Sequence, residues 1–200
     1  MMAAQKLDTL RGELMQDVSL ARYNTWRVGG HAERLFKPAD LNDLIVFLKQ
    51  LPAEEPLVWM GLGSNLLVRD GGVRGTVILT QQCLREMQQL DDSSVRIEAG
   101  VTCAKAARYA SDRGLSGIEF LAGIPGTVGG ALAMNAGAFG GETWDHVLAV
   151  ETIDRTGLIH QRSPEDYQIG YRSVIGYQNE WFVAAHFSLQ ALGDDQAQQV

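Results

Sequence analysis

Cysteine is scarce in this 200-residue chain: Cys83 and Cys103 stand far apart, and neither has a Cys-x-x-Cys partner. That usage argues for two reduced thiols in a cytoplasmic protein. Positive charge is also short. Lys and Arg number 17 against 24 Asp and Glu, the net charge is −7, and the pI is near 5.0. A nucleic-acid footprint would show a basic face, so a nucleic-acid partner is not expected. No apolar run approaches the roughly eighteen residues of a membrane helix. The opening "MMAAQKLDTLRGELMQDV" has no long apolar core, so it does not read as a signal peptide. His31, His146, His160 and His186 are scattered without metal-ligand spacing, so no metal is expected. Neither an internal repeat nor a low-complexity tract interrupts the chain.

The composition that remains is 46% apolar and 20% charged, ordinary for one globular domain or two small ones. Leu7, Leu10, Leu14 and Val18 fall at helical spacing, so residues 1–20 read as a short amphipathic helix or loose lead-in. A first block, 21–80, reads as strand ("AERLFKP"), helix ("ADLNDLIVFLKQ", capped by Asp40), buried strand ("PLVWMG"), glycine loop and strand ("TVILT"). Asp70 and Arg74, around Gly71-Gly72, read as hairpin-turn residues. A second block, 81–192, opens with two antiparallel strands around Asp91-Asp92. A helix capped by Thr102 and stopped by Gly114 comes next. A hairpin around Arg155-Thr156-Gly157, one helical turn after Ser163 and a last strand, "EWFVAAHFSLQ", complete it. Residues 193–200 read as the start of a linker. The pattern is α+β.

Glycine is where the sequence departs from the ordinary. Seven of residues 123–141, in "GIPGTVGGALAMNAGAFGGE", are glycine. That density is unfavourable for a helix or strand, yet the stretch lacks the serine and charge of a linker. Backbone must come close to something here, either a ligand or a tightly packed neighbour. A second glycine loop, "GLGSN" (61–65), succeeds a buried strand, where outward N–H groups make an anion nest and Ser64 and Asn65 add donors. It is not a GxGxxG fingerprint, since position 66 is Leu66 and the residues after it read as strand. Nor is it a Walker loop. Two such loops suggest one extended cofactor lying across both.

"YNTWRVGG", "GLGSNLLVRDGGVRG", "EAGV", "GLSGIEFLAGIPGTVGGALAMNAGAFGGE" and "GYRSV" occur in the order found in the UDP-N-acetylenolpyruvoylglucosamine reductase family, which the chain resembles over roughly residues 20–190. The resemblance implies a two-subdomain FAD-binding fold of the vanillyl-alcohol-oxidase (PCMH) type, with a third, substrate-closing domain further along. It implies that Gly61, Gly63, Ser64 and Asn65 hold the FAD pyrophosphate, flanked by Asn24, Thr25 and Val28. It implies that Gly123, Ile124, Pro125, Gly126, Gly129, Gly130, Asn135, Ala136 and Gly137 line the ribityl chain and flavin. Trp26 shares the first motif and is a further candidate contact.

The family uses NADPH to reduce an enolpyruvyl ether on a UDP-sugar to a lactyl ether, with FAD carrying the hydride. Charge then builds beside the substrate carboxylate, and Arg172 of "GYRSV" matches the cation that would face it, with Tyr171 as its neighbour. The proton donor, a Ser in a "GSxFxNP" context, has no counterpart in these 200 residues, and neither does the assisting Glu. The resemblance therefore implies an inactive FAD-binding part of a monomeric enzyme. "YRSV", in place of "YRDS", points to the shorter family form without the extra Tyr loop; Val174 departs from the usual small or polar residue. No His lies in the glycine block or beside "GLGSN", which favours non-covalent FAD. Two other readings stay open: a flavin oxidase or dehydrogenase of the same fold, and a nucleotide-binding module without redox work.

Overall fold

The computed structural model describes residues 10–81 and 83–192. It is α+β, as the sequence pattern indicates. Strand β1 (Glu13–Ser19) pairs antiparallel with β2 (His31–Lys37). Helix α1 (Leu41–Gln50) then carries the chain to β3 (Leu57–Met60), and the glycine loop leads to β4 (Val73–Leu79). The strands form one four-stranded sheet in the order β1-β2-β4-β3, with β4 parallel to both neighbours.

The second half builds a five-stranded antiparallel sheet. Its short edge hairpin is β5 (Met87–Gln89) and β6 (Ser94–Glu98). Helix α2 (Cys103–Ser111), the two-residue strand β7 (Leu115–Ser116), a 3₁₀ turn at Glu119–Gly123 and helix α3 (Val128–Ala133) come next. A small hairpin, β8 (Gly137–Ala138) and β9 (Gly141–Glu142), precedes β10 (Val147–Asp154) and β11 (Ile159–Arg162). The hairpin of β12 (Gln168–Gly170) and β13 (Ser173–Ile175) leads into β14 (Glu180–Ser188), and β15 (Gln190–Ala191) pairs with β7. The sheet order is β11-β10-β14-β6-β5.

Three buried clusters hold these layers. Val95, Ile97, Phe187, Leu121 and Leu132 belong to the one between the second sheet and α2 and α3. Leu20, Leu35, Met60 and Val77 lie on one face of the first sheet. The third joins the halves: Phe36, Phe47 and Ile78 from the first meet Ile153 and Val183 from the second. Phe36 and Phe47 stack with centroids 4.0 Å apart.

Several local expectations change. Residues 13–19 are strand, not helix, while Leu7 and the 193–200 tail lie outside the described residues. Asp17 explains the misreading: its φ is +50°, and the ladder passes from Gln16↔Arg34 to Val18↔Ala32 without it. The register is the same on both sides of it, so Asp17 is a left-handed kink within the strand and not an inserted residue, and the alternation of faces changes there. Leu14 packs with the shared cluster while Met15 and Val18 pack on the other face. Leu66 to Arg69 form no strand, and Asp70 lies in a turn that leads to parallel β4 instead of a hairpin. Thr102 precedes α2 without a side-chain cap bond, whereas Asp40 caps α1 by accepting from the Asp43 N–H at 2.9 Å. Glu119, which opens the 3₁₀ turn, is exposed.

Asp43 was not visible as special in the sequence. It is 2% exposed, and its carboxylate accepts from the N–H groups of Arg11, Gly12 and Ala39 at 2.8, 2.8 and 2.9 Å. Three such bonds satisfy a buried charge and fasten the segment before β1 to α1.

Candidate functional site

The glycine stretch 123–142 contains a helix after all. Thr127 caps α3 by accepting from Gly130 N–H at 3.4 Å. The loop before it is stitched to the end of β6 and the start of α2. Cys103 N–H donates to Gly126 O, Val128 N–H to Val101 O, and Gly129 N–H to Ala99 O, all within 2.9 Å. Gly129 is glycine for packing: a Cβ there would lie 2.9 Å from that of Ala99. Gly130 is the opposite case, since only Thr127 Oγ1, at 3.7 Å, would come within 4 Å of an added Cβ.

The "GLGSN" loop faces α3 from the end of β3. Gly63 has φ +64°, and a Cβ on it would meet Tyr23 O at 2.4 Å. Behind it, the Thr25 N–H donates to Gly63 O, and the Asn24 amide donates to Leu20 O and Val28 O at 2.8 Å each. Among the described residues, the Ser64 and Asn65 N–H groups have no hydrogen-bond partner.

Between the two loops lies a cavity of about 380 Å³. Gly61, Gly63, Ser64 and Asn65 line one wall; Gly123, Ile124, Pro125, Gly126, Gly130, Ala136 and Gly137 line the other. Among the described residues, Arg172 is the only charged side chain on its surface. It sits in the two-residue turn between β12 and β13, with φ +51°, beside Tyr171, which is 84% exposed. A second chamber of about 300 Å³ adjoins the first, sharing Trp59, Met60, Gly61, Gly130 and Ala133 with it. Trp59, Trp181, Tyr167, Tyr177 and Phe182 give it an aromatic lining. Trp59 Nε1 and Tyr167 Oη are buried there without a hydrogen-bond partner among the described residues. Burial pushes the Tyr167 phenol well above its ordinary pKa, so it remains a donor.

The remaining candidates lie elsewhere. Asn24 and Thr25 shape the first loop from behind and line a separate open cleft with Arg22, Arg27 and Leu62. Val28 is half exposed outside the cavity, and Trp26 is exposed as well. Gly129 borders only the second chamber. Asn135 is 4% exposed, and both ends of its amide are engaged by protein. The second chamber was missed altogether. Trp59 and Trp181 are distant in sequence, and only the pairing of β3 and β14 with their own sheets brings them together.

No group of three or more His, Cys, Asp or Glu among the described residues is placed to hold a metal. No helix among them is long and apolar enough to cross a membrane.

The FAD binding domain family matches residues 32–163. UDP-N-acetylenolpyruvoylglucosamine reductase of Coxiella burnetii is 50% identical over 215 aligned positions, which cover 98% of this chain and 68% of that protein. The chain belongs to the UDP-N-acetylenolpyruvoylglucosamine reductase family. The reductase of Alkalilimnicola ehrlichii is 57% identical, covering all of this chain and 66% of its own length. That of Legionella pneumophila is also 57% identical, over 90% of this chain and 58% of its own. The chain thus spans roughly three-fifths to two-thirds of these relatives. A crystal structure of the family's reductase (MurB) from Thermus caldophilus superposes with a TM-score of 0.75 at 32% identity, covering 95% of this chain and 66% of that one.

Proposed function

We propose that these residues are the FAD-holding part of an NADPH-dependent reductase that converts a UDP-N-acetylglucosamine enolpyruvyl ether to its lactyl ether, the muramate unit of peptidoglycan precursors. One observation carries the reading. Two glycine loops form the facing walls of the main cavity, and among the described residues its only charged lining residue is a cation.

The residues fit FAD. A pyrophosphate needs donors and no competing carboxylate, and the unpartnered N–H groups of Ser64 and Asn65 supply them. A flat ring needs close backbone, which Gly123, Gly126, Gly130, Ala136 and Gly137 provide. The aromatic chamber then takes the adenosine end, where a ligand satisfies Trp59 Nε1 and Tyr167 Oη. No covalent link is part of this reading.

Bound FAD supplies hydride transfer between NADPH and the enolpyruvyl double bond. Arg172 holds the substrate carboxylate at the cavity mouth. Its fixed charge and paired donors stabilise the negative charge that builds beside that carboxylate, more in the transition state than before it. No "GSxFxNP" proton-donor motif lies within these residues. The two cysteines are free and buried, which supports a reducing cytoplasmic setting.

The purified chain should be yellow, with oxidised-flavin absorbance that leaves the polypeptide on denaturation. It should not turn over the enolpyruvyl nucleotide. Replacing Arg172 with Ala should leave FAD affinity within about threefold. The same change in a complete reductase should cut turnover about 10²–10³-fold, the scale for losing one such stabilising group. A colourless chain that gains no bound FAD on incubation would refute the proposal.

A further inference from the structure

The β12–β13 hairpin presents Arg172 to the cavity, so the contacts that hold the hairpin's tip set where that charge stands. Gly170 pairs with Ser173, leaving Tyr171 and Arg172 as the two-residue loop. Among the described residues, one hydrogen bond reaches this tip from outside the hairpin: the Asn135 amide donates to Gly170 O at 3.3 Å. The same amide donates to Glu142 Oε2 at 2.7 Å, and Asn135 Oδ1 accepts the Trp144 N–H at 3.2 Å.

We infer that Asn135 is a positioning residue, which fixes the Arg172 turn against the cavity wall and is not itself a cofactor ligand. Three observations converge. The side chain is 4% exposed, and each of its polar atoms already has a protein partner, so none is free to face a ligand. Asn135 stands just beyond α3 with φ +39°, a region Asn tolerates better than most residues, and this backbone turn aims the amide at the hairpin. Its neighbours Met134, Ala136 and Gly137 line the cavity while Asn135 does not. One side chain thus links the end of α3, the β8–β9 hairpin through Glu142, and the arginine turn. The consequence for the reaction rests on the role proposed above for Arg172. The mechanical claim does not.

Asn135→Asp tests it. The carboxylate keeps the size and still accepts from Trp144 N–H, but it cannot donate to Gly170 O and it faces Glu142 with like charge. Measured on the 200-residue chain, amide exchange at residues 170–173 should quicken about tenfold or more, and the Arg172 Nε–Hε resonance should shift. FAD affinity should stay within about threefold of wild type. Asn135→Asp with Glu142→Gln removes the repulsion yet restores no donor to Gly170, so its hairpin should remain fast. Should Asn135→Asp fail to fold, Glu142→Ala serves instead: it leaves Asn135 in place without its shorter-bonded partner, and the tip should loosen in the same direction. Unchanged tip exchange and an unmoved Arg172 resonance in a folded variant would overturn the inference. So would a fall in FAD affinity of tenfold or more with the hairpin undisturbed. Failure of wild type to bind FAD would sink the proposed function and leave this test standing.

Discussion

Trp59 and Trp181 stack across the two halves of the fold, ring centroids 5.1 Å apart and planes inclined by 14°. Trp59 stands one residue before the end of a strand of the first sheet, and Trp181 one residue after the start of a strand of the second. Both rings form part of the aromatic chamber. A ligand in that chamber therefore touches a fluorescent pair. FAD should quench tryptophan emission, and Trp59→Phe, which keeps a ring but loses the N–H, should weaken FAD by about 0.5–1.5 kcal/mol, a two- to tenfold rise in Kd. FMN, which lacks the adenosine half, should be affected less. Equal losses for FAD and FMN would show that the chamber does not take the adenosine end.

The adjacent glycines of α3 should respond to alanine in opposite ways. At Gly129 the new methyl meets Ala99, and helix and strand must separate, costing about 1–3 kcal/mol. At Gly130 the methyl has room, so stability should change little, but it projects at the junction of the two chambers. Gly130→Ala should retain its melting temperature and lose FAD affinity about tenfold. Thermal unfolding together with FAD titration separates the two. A loss of stability at Gly130 matching that at Gly129 would contradict the division of roles.

Acid should act through Asp154. Burial opposes its ionisation, but bonds from the Thr156 hydroxyl, His160 and the N–H groups of Leu158 and Thr156 outweigh burial and hold its pKa at about 2. A lowered folded-state pKa stabilises above the unfolded value, near 4, and that stabilisation is lost as pH falls from about 4 to about 2. In urea titrations across this window, wild type should lose stability more steeply than Asp154→Asn. Parallel curves for the two proteins would exclude the effect.

Both cysteines should be inert in the folded chain. Burial pushes each thiol up to about 12, with Cys83 in the shared core and Cys103 at the start of α2 in the core of the second half. At pH 8 neither is a thiolate, so a disulfide reagent should titrate none in native protein and both in denaturant. Rapid native modification of either would mean that its cluster opens.

The parts of the sequence that speak plainly are those whose signal is local. Asp40 before a helical stripe, Pro164 after Ser163, and Gly157 in a hairpin each describe their own neighbourhood. The two glycine loops were legible as backbone walls for the same reason. The features that stayed hidden depend on residues brought together from afar. Asp43 looks like one more helix-start acid until the N–H groups of Arg11 and Gly12 arrive at its carboxylate. Leu14 and Val18 mimic a helix because the left-handed backbone of Asp17 kinks the strand between them. Asn135 lies inside a motif whose neighbours face the cavity, and only the fold shows its amide turned the other way.

A cavity walled by main chain has a thermodynamic consequence. Side chains that close on a ligand must give up rotamer freedom on binding, about 0.5–1.5 kcal/mol for each long one. Gly61, Gly63, Gly126, Gly130 and Gly137 have no rotamers to surrender. Their conformational freedom is lost when the chain folds, before any ligand is met. The glycine part of the wall therefore asks no side-chain ordering of a ligand, and that cost falls on the lining residues that do have rotamers, Leu66, Met134 and Arg172 among them.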